Sequence, residues 1–344
     1  MSPKHENAPG GLPAIPHHQV AEADWPLALL DLEIARARVL LTSATRLVPS
    51  PFIALGDRVS RRWLSRGDNR YLGEIDAIGH RIGRAGACFL NVSYEWGCTS
   101  RSGASPDGAG AQLLRVLDWP HQGIGQNVVA LTVDSPLGAW TNLTWPGFAG
   151  VIQASAPGRF AAAFNQAPMN TPTGVLATDW LAARMKLWGQ RGLPPAHLLR
   201  EVFETAANFA EARQMLKERP IAAPAIFILS GVRPEEGCVI ERLETQAVVH
   251  RSPAVAANHW LGRDWSGRSR GDDSHGRARG LSSVHADFSR PFDWLVPPVL
   301  NRFTRLVMLA EPASGRLAAQ GWEPEGVATE VLRIDEPPSA AAAQ

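Results

Sequence analysis

Five short apolar runs follow one another between Ala111 and Asn165: AQLLRVLDW, NVVALTVD, AWTNLTW, GVIQAS and RFAAAFN. Turn residues such as Pro157-Gly158 separate them, and Pro106-Asp107-Gly108 divides the first from an earlier run of β-type composition, ACFLNVSYEW. Connections this short cannot hold crossover helices, so consecutive runs must pair antiparallel. The flanks differ. Apolar residues at Leu29, Leu30, Ile34, Leu40 and Leu41, and again at Tyr71, Leu72, Ile75, Ile78 and Ile82, keep helical spacing, so the chain reads as helical up to Gly86. Helices return from Thr178 to Arg219, with Asn208 as an N-cap and Pro220 as a stop, and AIFILSG and CVIERLETQAVVHRS add strands. Gly262 to Gly280, with five arginines, reads as a long surface loop, and Thr304 to Ala310 as the last strand. Helices, strands, helices, strands without regular alternation specify a layered α+β fold. The polar segment 1–24 and the tail 337–344 are expected to be flexible.

Composition and motifs remove several function classes. The formal net charge is +1, so no broad field favours nucleic acid or an anionic membrane as the principal partner. The lysines, Lys4, Lys186 and Lys217, lie outside any Gly-Lys-Ser/Thr context, which removes a P-loop. H-E-x-x-H, C-x-x-C and G-x-G-x-x-G are absent, and three scattered cysteines make neither a disulfide framework nor a four-cysteine metal site. No metal or cofactor is expected. Gly267-Arg268-Ser269-Arg270-Gly271 fits G-x-S-x-G but lacks the apolar strand a nucleophile elbow needs, and reads as chance. The most apolar window, Ile221 to Val232, is 12 residues and contains Pro224, against the ~20 a membrane-spanning helix needs. With no apolar stretch after its first charges, the sequence carries the expectation of a cytoplasmic protein without integral membrane association.

Cys98 stands apart. Gly97 before it tolerates a strained backbone, and a hairpin turning near Asp107 brings residue 116 opposite residue 98, with Arg115 and Asp118 beside the sulfur. A guanidinium favours thiolate, and if the chain is cut before Cys98 the freed α-amino group, with a pKa of about 7.7 to 8.0, can take the thiol proton.

These residues resemble the start of the mature catalytic chain in the acid ceramidase and N-acylethanolamine acid amidase group, relatives of choloylglycine hydrolase among the N-terminal nucleophile hydrolases. The resemblance runs from about residue 69 to 320, through NRYLGEIDAIGHRIG, a Tyr94-Glu95 pair before the cysteine, NLTWPGFAGVI, APGRFAAAFNQ, GCVIERLETQAVVH, AANHW and PVLNRFTRLVML. It implies a four-layer αββα sandwich of two antiparallel sheets, cut between Gly97 and Cys98 into a helical α chain (25–97, behind the flexible 1–24) and a catalytic β chain (98–336) that stay associated. Cys98 is then nucleophile and base, Arg115 orients it, and Asp118 holds the α-amine. Asn258 gives the oxyanion hole a side-chain donor, Asn165 or its neighbour Gln166 a backbone donor, and Arg277, with Arg270 next, is the later arginine. Trp119, Trp145 and Phe148 are candidates to line an acyl pocket. The implied activity is hydrolysis of linear amides with an apolar acyl chain, such as N-acylethanolamines or ceramide-like lipids. Acyl transfer to an amine, or a catalytically silent lipid-binding protein of the same fold, are the alternatives.

Overall fold

The computed structural model describes residues 11–335 apart from 47–48, 68, 93–95, 172 and 263–264. The Tyr94-Glu95 pair and the tail 337–344 lie outside the described residues. The first part comprises β1 (His17–Ala21), α1 (Trp25–Leu32), α2 (Ile34–Thr45), α3 (Ser50–Arg66), α4 (Leu72–Ile82) and α5 (Ala87–Val92). Six strands follow: β2 (Gly97–Ala104), β3 (Ala111–Asp118), β4 (Val129–Asp134), β5 (Trp140–Thr144), β6 (Gln153–Ala156) and β7 (Phe160–Gln166). Then come α6 (Leu176–Gly189), α7 (Pro195–Thr205), α8 (Phe209–Glu218), β8 (Ala225–Ser230), β9 (Gly237–Arg242), β10 (Ala247–Arg251) and β11 (Ala254–Ala256). The rest is α9 (Ser274–Ser282), β12 (Thr304–Glu311), β13 (Arg316–Glu323), β14 (Gly326–Val327) and β15 (Leu332–Asp335).

The strands form two sheets, one ordered β1-β4-β5-β6-β7-β8-β9-β10 and the other β11-β2-β3-β12-β13-β14, with β15 also on β13. Pairing is antiparallel throughout except between β1 and β4. The sheets face each other across Leu113, Leu117 and Met308 on one side and Ala161, Ala163 and Ile228 on the other. Small alanines on β7 let them approach closely enough for side chains of one sheet to bond the other: Ser102 Oγ donates to the Leu229 carbonyl at 2.9 Å and Ser100 Oγ to Asn165 Oδ1 at 3.0 Å. On the outer face of the first sheet, Phe203 of α7 stacks on Trp140 and meets Phe160. Outside the second, Leu281 of α9 joins Leu114, Val116 and Leu309. The result is the expected order of layers, helix, sheet, sheet, helix. Among the described residues no single helix is long and apolar enough to cross a membrane.

Two buried arginines finish helices that the sequence leaves uncapped at their ends. Arg159 donates to the carbonyls of Phe203 and Ala206 at the end of α7, and Arg242 to those of Leu216 and Arg219 at the end of α8. Asn208 caps α8 as expected, its Oδ1 accepting the Glu211 N–H at 3.0 Å.

Five local expectations are corrected. Ala87–Val92 is helix, not strand, because Asn91 bonds back to the Ala87 carbonyl while clasping Gly147 and Ala149 of the loop opposite. Within 1–24, Ile15 is buried and His17–Ala21 forms a strand, which covers the edge of β4. The Arg-rich stretch holds α9, with Arg277 buried beneath it rather than solvated. Thr304–Glu311 is followed by further strands, the small residues of β13 hiding its pattern. Lastly, the hairpin turn spans Ser105 to Gly110, which pairs Cys98 with Leu117, one residue from the expected register.

Candidate active site

The β2–β3 ladder sets Gly97 opposite Asp118, Cys98 opposite Leu117 and Ser100 opposite Arg115. Side chains alternate across a strand, so Cys98, Ser100 and Arg115 face the space between the sheets while Thr99 and Asp118 face α9. Gly97 is an ordinary strand residue and not strained; its place is tight, since a side chain there would meet Asp118 Cβ at 3.4 Å.

Arg115 is fully buried. It donates to Ser100 Oγ at 3.1 Å, to Asn165 Oδ1 and to the Phe164 carbonyl at 3.0 Å. Its guanidinium also lies beside the Cys98 side chain, which favours the charged form of each. Asn165, expected to supply a backbone donor, sits inside the β7–β8 ladder opposite Ile226 and acts through its side chain, which donates to the carbonyls of Ala256 and Ala257. It thereby joins Arg115 to the end of β11.

Asn258 lies two residues past β11, where extension of the Ser100–Ala256 register places it opposite Cys98. Its Oδ1 accepts the Cys98 N–H at 2.7 Å and its Nδ2 donates to the Gln166 carbonyl at 2.9 Å. In the uncut chain, then, the expected oxyanion donor is occupied, and Asn258 rather than Asp118 holds the nitrogen of residue 98. Asp118 stands behind the strand, accepting from Thr304 Oγ1 at 3.0 Å and from Arg277 at 3.1 Å. Arg277 is the hub of this rear layer: it donates to the Cys98 carbonyl at 2.7 Å, Thr99 Oγ1 at 2.8 Å, Asn258 Oδ1 at 3.1 Å and the Asp272 carbonyl at 2.8 Å. Arg270 lies nearby, its own carbonyl accepting from Arg277.

The aromatic candidates Trp119 and Trp145 continue a chain of rings that begins at Trp96. Trp96 packs on Trp119 with centroids 4.8 Å apart, and Trp119 on Trp145 at 5.9 Å. Trp145 is fixed by the Ile124 carbonyl, and half-buried Phe148 packs on the same core.

Burial pushes the Cys98 thiol up to about 11, and Arg115 and Arg277 oppose that while Asp118 adds to it. The sulfur of the uncut chain is therefore protonated at neutral pH. Burial also raises the Asp118 carboxyl, against Arg277, and lowers Arg115.

Sequence reasoning missed Thr304 and Gly271. Gly271, set aside with the G-x-S-x-G string, has φ of 67°, and a side chain there would meet Arg277 Nη2 at 2.9 Å and the Gly97 Cα at 3.4 Å. A glycine at a left-handed position beside Gly97 was the available signal.

Cys98 thus opens an internal strand between two facing sheets, with Arg115 beside its side chain, Asn258 on its nitrogen and Arg277 on its carbonyl, the arrangement that the resemblance to the N-terminal nucleophile hydrolases implies. Comparison with known proteins finds similarity to acid ceramidases and to an N-acylethanolamine-hydrolyzing acid amidase. It is 30% identical to acid ceramidase of Balaenoptera acutorostrata scammoni over 104 residues, 30% of this chain and 25% of that one. It is 25% identical to N-acylethanolamine-hydrolyzing acid amidase of Oryctolagus cuniculus over 224 residues, 63% of this chain and 53% of the relative. The match thus spans about a quarter of the ceramidase and half of the amidase. The solved Caenorhabditis elegans N-acylethanolamine-hydrolyzing acid amidase ortholog superposes with TM-score 0.47 at 21% identity, over 63% of this chain and 93% of that one. No protein-family model matches the chain.

Proposed function

We propose that the chain is a self-processing cysteine amidase acting on linear N-acyl amides with an apolar acyl group. The observation that carries the reading is the convergence on one residue, Cys98, of Asn258 at its nitrogen, Arg277 at its carbonyl and Arg115 beside its side chain, with Asn165 holding Arg115.

In processing, the Cys98 sulfur adds to the Gly97 carbonyl carbon. The Gly97–Cys98 C–N bond breaks, the nitrogen leaves as an amine with the thiol proton, and a thioester remains. Water hydrolyses it to the Gly97 carboxylate and the free thiol, giving pieces 1–97 and 98–344. The new amine, unlike the amide it replaces, is basic and sits on the residue that bears the sulfur. It takes the thiol proton, the thiolate attacks the substrate carbonyl, and the amine passes the proton to the leaving nitrogen. Asn258 serves the oxyanion once its Nδ2 exchanges the Gln166 carbonyl for substrate; loss of such a donor typically costs about 2.7 to 4 kcal/mol. The Trp96, Trp119 and Trp145 chain supports an apolar acyl group, and water ends the cycle.

Cys98→Ala should run as one band of full length on a denaturing gel and have no amidase activity, while wild type yields fragments beginning at Met1 and Cys98 by intact mass. Cleavage of the variant at the same bond contradicts the reading. Transfer of the acyl group to an added amine in preference to water would recast the enzyme as a transferase.

A further inference from the structure

Asn258 is held by its main chain as well as its side chain. Its N–H donates to the Oγ of Ser274, the first residue of α9, at 2.8 Å. The same oxygen lies 2.8 Å from Nδ1 of His259. A hydroxyl carries one proton. With one lone pair of Oγ accepting from Asn258, its proton can go to Nδ1 of a neutral imidazole protonated at Nε2, whereas an Nδ1–H would instead donate to the second lone pair of Oγ. The His259 ring also lies against His275 of α9, with centroids 3.7 Å apart and planes at 27°.

We propose that Ser274 and His259 are positioning residues for Asn258, and that protonation of His259 loosens the hold on Asn258 and gives the reaction an acid limb. A proton on Nδ1 makes that nitrogen a donor to Oγ, so the Ser274 proton turns elsewhere and Oγ, accepting twice, holds the Asn258 N–H less firmly. The new charge would press on Arg277, which holds Asn258 Oδ1. Burial, and after it His275, Arg277 and Arg279 facing it from α9, lower the His259 pKa to about 4. The carboxylates around it are engaged elsewhere. Glu241 of β9 accepts from Leu261 N, Gly262 N and His250, and Asp273 caps α9 at Gly276 N.

The kinetic part rests on the amidase reading; the spectroscopic part does not. In uncut Cys98→Ala chain, the His259 Cε1–H resonance, assigned by its loss in a further His259→Gln change, should titrate at least about one pH unit below the ordinary 6.5. A midpoint near 6.5 overturns the proposal. For mature wild type and His259→Gln, pH profiles of kcat on the methylcoumarin amide of palmitic acid are each normalised to their own maximum, with circular dichroism at every pH to separate unfolding. Glutamine keeps an acceptor for Ser274 and cannot be charged, so its acid limb should move to lower pH; superimposed limbs overturn the proposal. Ser274→Ala should lower kcat about tenfold with KM nearly unchanged, and an unaltered kcat also overturns it. If mature wild type fails to turn over this amide, the amidase reading is at fault, and the same limbs are read from the rate of self-cleavage by intact mass.

Discussion

Cys88, Cys98 and Cys238 are all free and all buried, yet their surroundings differ. Burial lifts Cys88 and Cys238 to about 12, and Asp57 and Asp76 add to the effect at Cys88. Cys98 alone has two guanidinium groups opposing the shift. Because alkylation needs thiolate, iodoacetamide at pH 8 should mark Cys98 in the cut protein and leave Cys88 and Cys238 unmarked until unfolding. Peptide mapping decides this, and equal labelling of all three contradicts the assignment. The nearness of Arg115 to Cys98 was legible in the sequence because one short hairpin brings them together, whereas Asp118, at the end of the same hairpin, faces α9 on the other side of the sheet. The partner of the Cys98 nitrogen was not legible. Asn258 is 160 residues away and arrives only because β11 pairs with β2. A side-chain amide, moreover, gives no hint in sequence of whether it will donate or accept.

At the scale of elements, strands with strong alternation or long apolar runs were read correctly, whereas α9 was taken for loop. Its sequence, SHGRARGLS, has two glycines and one large apolar residue, so neither propensity nor period marks it. The Asp273 cap, Leu281 and buried Arg277 make it a helix, and all three are tertiary or local polar effects. Helix α5 fails for the opposite reason: ACFLNV has β-type composition, and Asn91 overrides it by bonding to three backbone groups. The arginine caps were equally hidden. Arg242→Met fills similar space but leaves the Leu216 and Arg219 carbonyls without this donor, for an expected loss of about 1 to 3 kcal/mol. Urea unfolding of the Cys98→Ala chain should show a lower midpoint at unchanged slope; an equal midpoint means that water replaces the cap fully.

Over the whole molecule, the sequence announced the layers but not what joins them across the proposed cut. Arg200 of α7 is buried between the Trp25 and Tyr71 rings, at 4.7 and 4.1 Å, and pairs with Glu74 of α4 and with Glu204. Removing one member of such a pair leaves a buried charge and typically costs about 3 to 5 kcal/mol. Arg200→Met should let piece 1–97 separate from the remainder in dilute urea that leaves wild type intact, as read by size-exclusion chromatography; co-elution would show that β1 and the helix contacts suffice. Acid should also weaken the assembly. Burial lowers His197, whose Nδ1 lies 2.9 Å from Asn69 Nδ2, to about 3, and His259 falls to about 4. Both bind protons more readily unfolded, so their stabilisation is complete above pH 6.5 and is lost as pH falls toward 4. The slope is about 1.4 kcal/mol per pH unit for each. Urea midpoints of Cys98→Ala chain at pH 7 and 5, with and without His197→Gln, test this; equal pH sensitivity of the two chains contradicts it.

The bond between Gly97 and Cys98 crosses the threshold of a strand with neighbours on both sides, β11 and β3. Severing it there removes a covalent link and none of the rungs from Thr99 to Ala104. The freedom released by scission accrues to the upstream end alone. If the proposed cut is made, the downstream end, with its sulfur and new amine, would stay moored by the sheet, so that little else has to move for the cut chain to act.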